Sequence, residues 1–253
     1  NVEELIQRIR RSLMREIRRE YPTIDFYDEL DLTENMKEIY AETNEPFIII
    51  IDEWDCIFRE YAEDKAAQER YLDFLRDFLK DKAHIHLAYM TGILPIKKYG
   101  THSALNMFDE FSMANPGVLA QYVGFTENEV RCLCSDYQMD LAEIKEWYDG
   151  YLFGNLEIYN PWSTLSYVKN KKADSSFEPI SFWANTSGNE LVVNYIQTGD
   201  RGLRKEFELL MNGQTIDKVI KPELTYREMD NINNIYSFLL LTGYLKVIEK
   251  TGD

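Results

Sequence analysis

Phe47-Ile48-Ile49-Ile50-Ile51 is an unbroken apolar run that stops at Asp52-Glu53-Trp54-Asp55. A run of this length, apolar on both faces, reads as the central strand of a covered parallel sheet. The acids then stand at its C-terminal end, the edge where ligands bind in open α/β sheets. Two consecutive carboxylates at such an edge can divide the work of phosphate hydrolysis. Adjacent side chains point in different directions, so Asp52 can hold Mg²⁺ through water while Glu53 polarises the attacking water. Acids after a strand are also what a solvated turn looks like. The second signal is Thr91-Gly92, which closes the next strand-like stretch, 84–90. Nucleotide-hydrolysing sheets put a polar sensor of the γ-phosphate at that position.

Other residues carry weaker signals. His102-Ser103 is adjacent in sequence, and neighbours do not form a Ser-His pair with an orienting acid. A loop near the nucleotide is the expectation for that segment. His84 and His86 alternate on one strand face and are expected to be partly exposed. Trp147, Tyr148, Tyr151 and Phe153 can stack on a base, but such a cluster is expected to pack a domain corner. Asn160, Trp183 and Asn185 are expected to be structural, with lining of a cleft as the alternative. Cys132 and Cys134 form a C-x-C without a second Cys or His pair, and Cys56 stands alone. No zinc pattern or disulfide framework follows, and reduced cytoplasmic thiols are expected.

The elements that must position the two acids are legible by period. Val2, Leu5, Ile6, Ile9, Leu13 and Ile17 predict a helix over 2–20 with a charged outer face. A short helix is expected over 33–42. Tyr71, Leu72, Leu75, Phe78 and Leu79 predict a helix within 62–80. Strand, helix and strand then make a right-handed parallel β-α-β unit. Residues 118–124 read as a third short strand, and a domain boundary is placed near 125. Thr126-Glu127-Asn128-Glu129 is a capping box that opens a helix to about 136. A helix near 140–149 follows, and Asn160-Pro161 starts another. Further helices are expected near 188–198, 200–211 and 229–242, with a closing strand over 243–248.

Composition bounds the partners. Of 253 residues, 28 are Lys or Arg and 44 are Asp or Glu, so the formal charge is 28 − 44 = −16. That balance argues against a grip on nucleic acid or an anionic membrane through a general positive field. With 45% apolar and 13% aromatic residues the chain is globular rather than disordered. No apolar run approaches the roughly 20 residues of a membrane span. The chain begins with Asn1 inside an amphipathic pattern and ends on Gly252-Asp253, so it is expected to be an internal piece of a longer protein.

An ordered set of segments makes the resemblance specific. It comprises FIIIIDEWDCIF (47–58), LAYMTGILPI (87–96), GFTENEV (124–130), WYDGYLFG (147–154), YNPWSTL (159–165), FWANTS (182–187) and FLLLTGYL (238–245). From about residue 30 onward the chain resembles the bacterial AAA-ATPase-like family, whose members often carry a C-terminal PD-(D/E)XK nuclease-like domain. The resemblance implies that Asp52 and Glu53 are the Walker B pair, that Asp55 belongs to the same nucleotide-binding motif, and that Thr91 is the sensor. It implies ATP and Mg²⁺ as cofactors and a cytoplasmic location. It also implies nucleic acid as a partner through the nuclease-like domain.

One departure is large. No G-x-x-x-x-G-K-[ST] exists anywhere in the sequence, so the backbone cradle and lysine for the phosphates are missing. The expected fold is therefore α/β. Residues 1–125 form an incomplete P-loop NTPase-type parallel sheet, and 126–253 a helical region with a winged-helix-like end. In such sheets the P-loop strand lies between the sensor strand and the last strand, so an exposed apolar edge is expected between 85–90 and 118–124. The expected function is ATP binding and hydrolysis in the intact protein, with this chain inactive alone. A non-hydrolysing interaction scaffold on a nucleotide-binding fold is the alternative.

Overall fold

A computed structural model describes residues 1–26, 28, 30–96, 105–182, 201–229 and 231–249. The chain divides into two compact units, Asn1–Asp109 with Thr225–Arg227, and Glu110–Leu224 with Glu228–Asp253. The division falls ahead of the boundary expected near 125. Residues 110–124 explain this: the Gly154 amide donates to the Met113 carbonyl at 3.2 Å, so the segment is tied to the second unit.

In the first unit, helix α1 (Val2–Glu20) starts at Asn1, whose side chain accepts from the Glu3 amide. Glu3 and Glu4 in its first turn and Arg18 and Arg19 in its last complement the helix dipole. Val2, Ile6 and Met14 are buried, whereas Leu13, expected to face inward, is exposed. Helix α2 (Leu32–Thr43) is capped by Asp31 and ends at Asn44 in the left-handed region. Strand β1 (Phe47–Ile51) follows, then the short helix α3 (Cys56–Glu60), helix α4 (Lys65–Leu79) and strand β2 (Ile85–Met90). The expected inward stripe of α4, Tyr71 to Leu79, is buried as the period required. It joins Trp54, Ile57 and Phe58 in one core.

Strands β1 and β2 pair in parallel, from Phe47 opposite Ile85 to Ile51 opposite Met90. A bulge interrupts the register, because Ile48 lies opposite Leu87 rather than His86. His86 and Leu87 consequently both face outward. Phe47, Ile49, Ile51, Ile85, Ala88 and Met90 pack against the core. The other face is open: Ile48 is 60%, Ile50 72%, Leu87 52% and Tyr89 44% exposed. The sheet covered on both sides is thus not what these residues form. Among the described residues no third strand joins the pair, and apolar side chains of the outward parity stay in water.

The expected strand over 118–124 is a correction. Gly117–Tyr122 is a 3-10 helix, set by Pro116 and by Gly117 at φ +50°. The strand that follows, β3 (Phe125–Thr126), belongs to a three-stranded antiparallel sheet in the second unit. There the hairpin β4 (Asp149–Phe153) and β5 (Leu156–Tyr159) turns at Gly154, and β5 lies between β3 and β4. The capping box forms, with the Thr126 amide donating to Glu129 at 2.8 Å, and opens α5 (Glu127–Tyr137). Helices α6 (Leu141–Tyr148) and α7 (Pro161–Ala173) pack with it. Asn160 caps α7 by accepting from the Ser163 amide at 3.0 Å.

Helix α8 (Arg201–Met211) matches the expected 200–211 element. Helix α9 (Ile235–Leu241) is shorter than the expected 229–242, because 3-10 turns at Tyr226–Glu228 and Ile232–Asn234 precede it. Residues 243–248 form turns and bends rather than the expected strand. Gly243 sits at φ +84°, and a Cβ there would stand 2.4 Å from the Tyr151 ring. A winged-helix-like end therefore lacks its closing strand among the described residues. The expected helix at 188–198, His102-Ser103, Trp183 and Asn185 lie outside the described residues. Among those described, no helix is long and apolar enough to cross a membrane.

Candidate functional site

The parallel ladder does not stop where the strands do. The Thr91 amide donates to the Ile51 carbonyl at 2.9 Å, and the Trp54 amide donates to the Thr91 carbonyl at 2.9 Å. These bonds zip the 52–54 turn to the end of β2. Asp52, Glu53 and Thr91 thereby share the C-terminal edge of the β1–β2 pair. The Thr91 hydroxyl works in both directions there. It donates to Asp52 Oδ1 and accepts from the Glu53 amide at 3.2 Å.

Glu53 takes φ +52°, a left-handed conformation that costs a residue with a Cβ roughly 1–2 kcal/mol. One backbone bond on either side, and the bond from its own amide to the Thr91 hydroxyl, hold it there. The kink turns Trp54 and Asp55 into the core while Asp52 and Glu53 stay at the surface. Gly92 makes this possible. A Cβ on it would lie 2.4 Å from Trp54 Nε1 and 3.2 Å from Asp55 Cγ.

Asp55 is 0% exposed. Its Oδ2 accepts from the Ile93 amide at 2.8 Å, the Leu94 amide at 3.3 Å and the Tyr226 hydroxyl at 2.8 Å. Its Oδ1 has no hydrogen bond but lies 3.8 Å from the Arg59 guanidinium. Its carboxylate points inward and ties the loop after β2. Arg59 also donates to Glu53 Oε2 at 2.7 Å. Burial acts against the Arg59 charge, but the Glu53 hydrogen bond and the Asp55 carboxylate outweigh it and raise its pKa. Burial, with Glu60 acting in the same direction, pushes the neighbouring Cys56 thiol up.

Arg59 and Tyr226 escaped the sequence reading. Arg59 stands one helical turn after Asp55, a spacing that pairs opposite charges, so its signal was present. Tyr226 is 171 residues away from Asp55 and left no signal.

Among the remaining candidates, Tyr148, Tyr151, Phe153 and Asn160 make packing or capping contacts. His84 is buried, not partly exposed, while His86 is exposed; His84 precedes β2, and His86 is the surplus residue of the bulge. Burial pushes the His84 pKa down, with Lys82 acting in the same direction. Tyr148 packs on Tyr167 and Phe182 with ring centroids 5.5 and 5.9 Å away. Tyr151 meets Phe153 edge-on, and Trp147 is exposed. All three cysteines are free.

Among the described residues no group of three or more His, Cys, Asp or Glu can hold a metal. Mg²⁺ at nucleotide sites asks for less: one or two carboxylates, with waters and phosphate oxygens completing its shell. An exposed Asp52 oriented by the Thr91 hydroxyl fits that requirement.

Residues 1–101 match the family model for AAA-ATPase-like proteins, described as "Predicted AAA-ATPase". The AAA-ATPase-like resemblance therefore holds over the stretch that contains Asp52, Glu53, Asp55 and Thr91. The match does not reach a nuclease-like domain. A protein of Azotobacter chroococcum mcd 1, "Uncharacterized protein in vnfD 5'region", is 24% identical over 169 residues. That stretch covers 64% of this chain and 31% of the relative, so the chain spans about a third of the relative's length. No solved structure matches the chain.

Proposed function

We propose that the first unit carries the metal- and water-handling edge of an ATP-hydrolysing site. Asp52 holds Mg²⁺ through water, Glu53 polarises the attacking water, and Thr91 senses the γ-phosphate. Bound Mg²⁺ would neutralise charge on the phosphates; the chain's own residues orient and deprotonate. The observation that carries this reading is the Thr91 hydroxyl, bonded at once to the Asp52 carboxylate and the Glu53 amide. A change at Thr91 is thus felt by both acids. The AAA-ATPase-like match over 1–101 supports the same chemistry. In this reading β1 and β2 are two strands of a P-loop-type sheet. The sequence holds no G-x-x-x-x-G-K-[ST], so turnover is proposed for the full-length gene product with a phosphate cradle. The free cysteines suit a reducing cytoplasm.

The Arg59 bond to Glu53 favours a second reading. A carboxylate already paired with a guanidinium is a poorer base, as in a scaffold that binds nucleotide or a partner without hydrolysis. Phosphate release by the full-length gene product, wild type and Glu53→Gln, decides between them. Loss of turnover on the order of a hundredfold or more, with ATP still bound, supports Glu53 as the water-activating group. Wild-type binding without turnover selects the scaffold. Turnover unaffected by the substitution refutes the assignment.

A further inference from the structure

Tyr226 lies far along the chain from the acids, yet its hydroxyl ends on Asp55, and Asp55 connects to every part of the edge. Through Oδ2 it holds the Ile93 and Leu94 amides, directly after Thr91 and Gly92. Through Oδ1 it faces Arg59, whose guanidinium reaches Glu53. The carboxylate is fully buried, where a charge is retained only when donors surround it. Tyr226 supplies one of those donors at 2.8 Å, and its ring stacks on Phe58 with centroids 6.1 Å apart. Arg227 follows with an ion pair to Glu69 of α4 at 3.7 Å.

We propose that Tyr226 is a positioning residue of the Asp52–Glu53–Thr91 edge, acting through Asp55. With its hydroxyl in place, Asp55 divides its charge between the 93–94 amides, Tyr226 and Arg59, and Arg59 remains extended toward Glu53. Without it, the buried Asp55 carboxylate loses one of its donors, and the loop that its Oδ2 ties, and Thr91 with it, loosens. Tyr226 touches neither nucleotide nor metal in this scheme. The catalytic part of the inference rests on the ATPase reading above.

The test substitutes Tyr226→Phe in the full-length gene product, which keeps the ring and its stacking on Phe58. Two readouts are taken: ATP turnover with Mg²⁺, and amide hydrogen exchange across 91–94. The expected result is a fall in kcat of about tenfold with KM for ATP within about twofold, the signature of lost orientation rather than lost binding. Exchange across 91–94 should quicken by about tenfold, as befits a lost hydrogen bond to a buried charge. In an Asp55→Asn background, Tyr226→Phe should add less than about twofold, because both act on one path. Unchanged exchange across 91–94 overturns the inference while leaving the ATPase reading standing. Quickened exchange with unchanged kcat also overturns it, since Tyr226 is then structural only. A wild-type protein without turnover sinks the ATPase reading and the catalytic role of Tyr226 together, and the exchange arm still reports whether the clamp exists.

Discussion

Replacing Gly92 with alanine tests the geometry of the edge most directly. The added Cβ would stand 2.4 Å from Trp54 Nε1 and 2.5 Å from Cδ1, where ordinary contact begins at 3.4 Å. The indole must therefore recede by 3.4 − 2.4 = 1.0 Å. It has little room to do so, being buried with its ring edge-on to Phe58 at 5.5 Å. Forcing one carbon into a packed core costs about 1–3 kcal/mol. For a chain of this size that lowers Tm by roughly 2–4 °C per kcal/mol. The strain falls one residue from Thr91, so the bond from Thr91 to Asp52 should weaken with it. Thermal unfolding followed by tryptophan fluorescence measures the loss. Gly150→Ala is the control, since a Cβ there meets nothing within 4 Å, and it should be neutral or slightly stabilising. If Gly92→Ala unfolds within 1 °C of wild type, the close approach of this turn to Trp54 is wrong.

Three further outcomes are expected. The His84 pKa is depressed below its ordinary 6.5, so the unfolded chain binds the extra proton and stability present above about pH 6.5 falls as pH drops toward the folded value; urea unfolding of wild type between pH 7 and 5 should therefore decline more steeply than that of His84→Gln, and parallel curves would refute it. Thr126→Ala removes half of the capping box and should cost about 1 kcal/mol by chemical denaturation, with a loss under about 0.3 kcal/mol refuting the cap's role. Ile50→Lys, at a position 72% exposed, should leave stability within about 0.5 kcal/mol of wild type and reduce light scattering on concentration; a loss above about 2 kcal/mol would mean that the face is covered.

The β-α-β unit was legible because its signals are local. Five apolar residues ending in two acids, and a helical stripe from Tyr71 to Leu79, needed no tertiary context. The third strand was misread because Val118 to Val123 is apolar enough for a strand, while Pro116 and Gly117 set a turn ahead of it. The β4–β5 hairpin was missed because Trp147 to Phe153 reads as an aromatic helix end, and the pairing of Asp149 with Tyr159 is not a local property. At the site, the placement of Asp52, Glu53 and Thr91 on one edge followed from strand ends alone. The inward turn of Asp55 did not, since it depends on the left-handed Glu53, the missing Cβ of Gly92 and a tyrosine from a remote segment.

The bulge opposite Ile48 sets the phase of everything downstream on β2. Both parities of that strand are apolar, Ile85-Leu87-Tyr89 in one and Ala88-Met90 in the other, so hydrophobicity alone does not choose between them. One surplus residue at His86 makes the choice and sends Ala88 and Met90 to the core. It chooses for Thr91 as well. Were His86 instead paired directly with Ile48, each later side chain would exchange sides, and the Thr91 hydroxyl would turn away from Asp52 with no change in its identity. Deleting the surplus residue, by contrast, would straighten the ladder and keep the present partners and phase. The reading frame of this strand, as much as its composition, encodes the constellation at its end.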